Sequence, residues 1–245
     1  LPLISKNFGK VIQRCVERLG IEKKIPLHLF DFYLDDKDLF PRKSNRRGEF
    51  YVGPLGICES YSSRFPEWIS SIHHRDVIIY VTVGSNNNGT SYIDDIIDYF
   101  KNRRNIKIVV SSFGKWVPQS VISNLATSML FRDEEIIDRA SLVVCHGGVN
   151  TVYKALIRGV PLLIISNHYV TERVGARIAE IGIGAWIKKE YYNQNNLIHA
   201  VERLLGKGST YQRELLWWQK RIQGNFDQYR LLNIMGETYR HLNIM

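Results

Sequence analysis

The residues best suited to chemistry in this chain are His146, Gly147 and Gly148, followed at once by Val149, Asn150 and Thr151. An apolar run, SLVVC (141–145), leads into them. A helix-like segment, NTVYKALIRG (150–159), leaves them and stops at Gly159-Val160-Pro161. Two residues without side chains let a ligand come close to the backbone and let the turn take unusual dihedrals. Asn150 or Thr151 can cap the helix that follows. Its N-terminus then offers unpaired N–H groups and the positive end of a dipole, which suits an anion and above all a phosphate. His146, Asn150 and Thr151 add side-chain donors. A plainer reading stands beside this one: Gly-Gly before a helix often serves only a tight turn, and a lone histidine is often a satisfied core group. The motif is neither the dinucleotide fingerprint GxGxxG nor the P-loop GxxxxGK[ST], both absent here.

Such a corner works only if a sheet presents it. Four apolar runs rich in β-branched residues read as strands buried on both faces: VIIYVTVG (77–84), IKIVV (106–110), SLVVCHG (141–147) and PLLIIS (161–166). A fifth strand is expected in ATSMLFR (126–132). Helices are expected at 90–102, 150–159, 171–182, 193–206 and 211–232. Strands alternating with helices at this spacing predict a doubly wound α/β domain with a parallel sheet. In such sheets ligands sit beyond the carboxyl ends of the strands, where His146 falls.

The first 75 residues differ. They offer one amphipathic helix (6–20), one short strand (28–34) and a basic loop (41–56) leading to an extended YVGPL. A boundary near residue 75 follows, with 1–75 too sparse to make a domain alone and 76–245 forming the main one. The whole chain is 245 residues, 44% hydrophobic and 23% charged, an ordinary globular composition. No apolar run approaches the roughly 18 residues that span a bilayer, and LPLISKNFGK is too short of apolar residues for a secretory signal. Three cysteines without CxxC spacing argue against a disulfide framework or zinc site and for a reducing, cytoplasmic setting. Cys145 neighbours His146, but successive strand residues point to opposite faces, so the thiol reads as buried and structural. The net charge of +9 concentrates in 42–47, 101–107 and 217–223. Without a nucleic-acid motif these runs read as solvated faces or as a field for a phosphorylated ligand. Trp217 and Trp218 beside Lys220 and Arg221 allow peripheral membrane contact, with packing against protein the plainer alternative.

Taken in order, HGGVNT, AL, RGVPLL and TERVGARIAEIGIG resemble the nucleotide-sugar-binding half of the GT-B glycosyltransferases. Within them the pattern is most similar to the UDP-glucuronosyltransferase and macrolide-glycosyltransferase superfamily. YVGPL (51–55), Pro66-x-Trp68 and IIYVTVGS (78–85) agree in the same order, so the resemblance covers about 45–205. It implies a Rossmann-like donor-binding domain preceded by the tail of an acceptor domain. It also implies transfer of a hexosyl group from a nucleotide sugar, a UDP-sugar in family terms, to an acceptor hydroxyl with inversion. Carried over by position, His146, Gly147, Gly148, Asn150 and Thr151 would hold the donor diphosphate. Gly84 and Ser85 would line the cleft floor, the backbone at Phe131 would meet the base, and Glu172 would contact the sugar.

Departures from that pattern are equally specific. Thr171 stands where the family has an acidic sugar ligand, and Lys154 replaces a glutamate that often binds the ribose. Lys154 is expected to reach phosphate or to face solvent. WVPQ (116–119) looks like the family's base-stacking Trp-x-Pro-Gln, but Trp116 lies 30 residues before His146, roughly twice the family's separation. The equivalent stretch is LFRDEEII (130–137), which is why Phe131 is chosen. Asp35-Asp36-Lys37-Asp38 contains an Asp-x-Asp, read as an exposed charge cluster, so no metal and no cofactor beyond the donor is expected. The general base belongs, by the resemblance, to an N-terminal half not matched here. The chain is therefore expected to be the donor portion of a longer enzyme or a subunit with a separate acceptor partner. A non-catalytic nucleotide-sugar-binding subunit is the alternative. An epimerase of similar fold ranks third and nucleic-acid binding a distant fourth.

Overall fold

The computed structural model describes residues 31–33, 35–41, 49–51, 53, 76–84, 90–128, 133–206, 210–225 and 233. The expected helix at 6–20, Pro66, Trp68 and Ser85–Gly89 lie outside them, as does the stretch around Phe131. The chain divides into two compact units, one of residues 1–55 with 224–245 and one of residues 56–223. The expected boundary at 75 closes a stretch, 54–75, outside the described residues.

In the first unit, β1 (Asp31–Tyr33) pairs in parallel with β2 (Glu49–Tyr51). Between them Asp36 is buried, and its carboxylate accepts the amides of Asp38 and Leu39 at 2.9 and 3.1 Å. The Asp-x-Asp is thus partly a turn brace, not the wholly exposed cluster expected. No cluster of His, Cys, Asp and Glu suited to a metal occurs among the described residues.

The second unit runs β3 (Val77–Thr82), α1 (Ser91–Phe100), β4 (Ile106–Ser111), β5 (Leu125–Ser128), α2 (Asp133–Ile137) and β6 (Leu142–Cys145). It continues α3 (Val149–Arg158), β7 (Leu162–Ser166), α4 (Tyr169–Glu180), β8 (Gly184–Lys188), α5 (Gln194–Leu205) and α6 (Thr210–Asn225), whose last two residues fall past the unit's end at 223. The six strands form one parallel sheet in the order β5-β4-β3-β6-β7-β8. Alternation explains why the strand sequences read as unbroken apolar runs. Ile79, Val81, Ile108, Val110, Val144 and Leu163 pack with α1 and α5 in one core cluster. Their neighbours Ile78, Tyr80, Val109, Val143, Cys145, Leu162 and Ile164 are buried as well and point to the other face. Each such side chain contributes about 1.5–3 kcal/mol on leaving water.

The strand order fixes where a ligand can enter. From β3 the chain winds outward through β4 to β5, then crosses to the other side of β3 and winds through β6, β7 and β8. The direction reverses between the adjacent strands β3 and β6, and a crevice opens beyond the carboxyl ends at such a switch point. Gly84 follows β3 and His146 follows β6, so the sequence pattern lands on that crevice.

Some local expectations hold and others are corrected. The Gly159-Val160-Pro161 stop is a left-handed cap: Gly159 has φ 66°, and the amides of Gly159 and Val160 return to Leu156 and Ala155. Helix α4 begins at Tyr169, two residues earlier than predicted, because the His168 imidazole accepts the Val170 amide and caps it. Strand β8 and the short α2 were not anticipated. Helix α6 buries Leu215, Trp218 and Ile222, while Leu216 and Trp217 are exposed. Gln219 and Gln223 pin α6 to the carbonyl of Ile157 at 3.2 and 2.7 Å. No helix among the described residues is long and apolar enough to cross a membrane.

Candidate functional site

At the switch point the His146 ring lies between two glycines. A Cβ on Gly84 would stand 2.2 Å from the imidazole Cε1, and one on Gly148 would stand 3.2 Å from it. Gly84 also has φ 76°, backbone that favours glycine. The ring occupies the space a side chain at Gly84 would need, and at Gly148 it leaves only a tight fit for a Cβ. His146 is half-buried, and its Nδ1 is fully buried without a hydrogen-bond partner among the described residues. Burial, then the nearby Lys115 charge, push the imidazole below its ordinary value. It is therefore neutral at pH 7, a ring with one N–H donor and one acceptor nitrogen to offer.

The start of α3 forms one wall. Its N-cap is Gly148 in extended backbone (φ −64°, ψ 125°), with no side-chain capping bond. This overturns the expectation that Asn150 or Thr151 caps the helix: both lie inside its first turn, Asn150 exposed and Thr151 half-buried. The first helical bond runs from the Val152 amide to Gly148 at 3.1 Å, so the amides of residues 149–151 have no carbonyl within the helix. No acidic residue occupies the first turn. The end is electropositive and suits an anion.

Gly147 locks this wall to the next junction. With φ 94°, its Cβ would come within 3.1 Å of the Thr171 carbonyl and of Ile164 Cγ2. The β6–α3 turn thus packs on the first turn of α4, which carries Glu172. Glu172 faces Lys188 at 3.6 Å, and Lys188 also pairs with Glu190 at 2.9 Å. The sugar contact expected of Glu172 therefore comes with a basic partner.

Cys145, beside His146 in sequence, is fully buried and free, and burial pushes its thiol up to about 12. It is structural, as expected, and not a nucleophile. Lys154 neither reaches toward phosphate nor faces solvent. Its ammonium lies 2.6 Å from Glu134 and 3.4 Å from Asp133, with only 17% of its side chain exposed. Burial works to raise the Glu134 carboxyl, but hydrogen bonding and charge from Lys154, with charge from Arg158, outweigh it and hold it below the usual range. Arg158 pairs with Asp138, and buried Tyr80 donates to Asp133 at 2.5 Å. The lysine at 154 therefore clamps α3 to α2. Trp116 packs against the core and donates from Nε1 to Asp94 at 2.9 Å, so WVPQ serves the fold at that residue.

Sequence reasoning missed Lys115. It follows β4, and its Nζ lies 3.5 Å from the Gly84 carbonyl, at the edge of the crevice. The only signal was faint, Gly114 standing three residues past the end of β4.

Comparison with known proteins agrees with this fold. A model of the glycosyltransferase family 28 C-terminal domain matches residues 78–215. The uncharacterized UDP-glucosyltransferase YojK of Bacillus subtilis is 27% identical over 195 residues, 74% of this chain and 47% of its own length. Among solved structures, the glycotransferase of kitacinnamycin superposes with a TM-score of 0.72 at 15% identity, over 85% of this chain and 55% of that one. The glycosyltransferase VinC, solved in complex with DTDP, superposes with a TM-score of 0.59 at 21% identity, over 73% of this chain and 44% of its own. The chain spans about half or less of the length of the curated relatives it matches.

Proposed function

Since the chain belongs to the family of the glycosyltransferase family 28 C-terminal domain and has the fold of GT-B glycosyltransferases, we propose that it is the donor-binding half of an enzyme that transfers a hexosyl group to an acceptor hydroxyl with inversion. The observation that carries this reading is the uncapped start of α3 beside an uncharged His146, at the sheet's switch point. The donor's diphosphate meets the amides of residues 149–151, the Asn150 and Thr151 side chains and the His146 ring, above a floor formed by Gly84 and Ser85. Negative charge grows on that diphosphate as the glycosidic bond breaks. Each preorganised donor aimed at it is worth about 3 kcal/mol in the transition state, and the helix end about 1 kcal/mol more. The proposed sugar contact is Glu172 and the proposed base contact the backbone at Phe131. A UDP-sugar is the first donor to try, because YojK is named a UDP-glucosyltransferase. TDP-sugars come next, because VinC was solved with DTDP. The proposal includes no cofactor beyond the donor and a cytoplasmic setting, the latter on sparse cysteine usage.

The proton of the acceptor hydroxyl needs a general base, and we assign none to this chain. A second reading is that the chain is a nucleotide-sugar-binding subunit and a separate partner supplies acceptor and base. Calorimetric titration with UDP-, TDP- and GDP-sugars tests the shared premise: one of them binds, and His146→Ala weakens it at least tenfold, about the worth of one charge-assisted hydrogen bond. A folded sample indifferent to all of them, or unaffected by the substitution, refutes it. Sugar transfer by the isolated chain would exclude the subunit reading.

A further inference from the structure

Among the described residues β8 is the last strand of its sheet and pairs only with β7. Its outer side therefore presents backbone amides and carbonyls with no strand partner among the described residues, a ready template for another chain. A groove of about 420 Å³ is lined by residues 185–188 of β8, by Tyr191 and by residues of α5. Ala185 and Ile187 belong to the core cluster that includes α5, which leaves Trp186 and Lys188 on the opposite face of the sheet. Residues of both faces line the groove and none of β7 or α4 does, so it follows the free edge.

The other wall is a single stripe of α5. Asn196, His199 and Arg203 follow at spacings of three and four and are all exposed. No acidic residue lines the groove. Lys188 is already held by Glu172 and Glu190. Arg203 has no carboxylate beside it among the described residues, and its guanidinium lies over the Tyr211 ring, 5.4 Å from the centroid. His199 likewise has no acidic partner among them. A second copy of the chain would set the same basic stripe against this one, and a lysine on an edge strand works against such self-pairing. An acidic strand meets the opposite situation, with amides and carbonyls on one side and unpaired N–H donors above.

We propose that the free edge of β8 docks an extended acidic segment of a partner protein, which adds a seventh strand to the sheet. Its side chains alternate between faces. Those on the α5 side are carboxylates that meet His199 and Arg203, and those on the other side are apolar and lie beside Trp186. None of the residues that line the groove is among those proposed to hold the donor, and β8 lies two strands from β6.

The test is fluorescence anisotropy of a labelled peptide in which glutamate alternates with valine, titrated with the full chain. Two control peptides replace every glutamate by lysine or every valine by proline; the second keeps the charge but cannot form a strand. The glutamate–valine peptide should bind, each control should bind about tenfold more weakly or worse, and amide hydrogen exchange along β8 should slow in the complex. Reversing the wall with His199→Glu and Arg203→Glu together should weaken the glutamate–valine peptide about tenfold, raise affinity for the lysine peptide and leave the melting temperature near wild type. Equal binding of the proline peptide would reduce the groove to a charged surface and overturn the proposal. So would a folded chain that ignores the glutamate–valine peptide, or unchanged affinity in the reversed variant. Sedimentation showing a dimer, with exchange along β8 slowed in the absence of peptide, would assign the edge to a second copy instead.

Discussion

Substituting Gly84 by alanine isolates the contact on which the site is built. Two costs add. Backbone at φ 76° is left-handed, and a Cβ there costs about 1–2 kcal/mol. The same Cβ would stand 2.2 Å from the His146 Cε1, so the ring must move, at about 1–3 kcal/mol by analogy with overpacked cores. The sum, roughly 2–5 kcal/mol, lowers the melting temperature by roughly 5–15 °C for a domain of this size. A double-mutant cycle separates the two. In a His146→Ala background the ring is gone, and Gly84→Ala should cost only its backbone share. The coupling between the positions should then be about 1–3 kcal/mol in denaturant unfolding. Gly84→Ala should also weaken the donor nucleotide, because the imidazole leaves its place beside Gly148. Equal cost in both backgrounds would show that the ring does not rest on Gly84, and the crevice floor described here would be wrong.

Two further outcomes are expected. Lys154→Glu sets a third carboxylate against Asp133 and Glu134, whose side chains are 21% and 25% exposed, and should cost roughly 2–4 kcal/mol in urea unfolding. Adding Glu134→Lys should recover much of that, and a Lys154→Glu chain as stable as wild type would dismiss the clamp. The depressed His146 leaves stability intact above the ordinary histidine range and removes it as pH falls through about 6.5 toward the lower folded value. A bound diphosphate reverses that depression, so binding near pH 6 should take up protons and strengthen as pH falls. Calorimetry in two buffers of different ionisation enthalpy checks this; no uptake, or the same uptake in His146→Gln, counts against it.

Much of this was legible because both sheet faces are buried. VIIYVT, IKIVVS, LVVC and LLIIS are continuous apolar runs, and strands β3, β4, β6 and β7 follow them closely. Strand β8 was not legible. It opens on Gly184, whose Cβ would meet the Leu162 carbonyl at 2.3 Å, and alternates with half-buried Trp186 and Lys188. At five residues, α2 is too short to show helical periodicity. The Gly-Gly pair does mark the turn from β6 into α3, but the capping grammar misled: Asn150 and Thr151 are good cap types, yet Gly148 takes the position with no side-chain capping bond. Lys115 was out of reach because a phenylalanine with positive φ announces no turn, and Gly84 lies 31 positions earlier in the chain. Lys154 was misplaced because its partners sit on a helix that the sequence did not reveal.

The missing side chain at Gly147 has a consequence for anyone recombining segments of related proteins. Because the Thr171 carbonyl and Ile164 fill the place where its Cβ would be, the two successive loops behave like meshed gear teeth. A chimera that imports the segment 167–172 inherits a tooth cut for whatever notch its parent had. Such exchanges should succeed when both loops travel together, or when the donor of the segment also bears glycine at the matching place, and should otherwise jam.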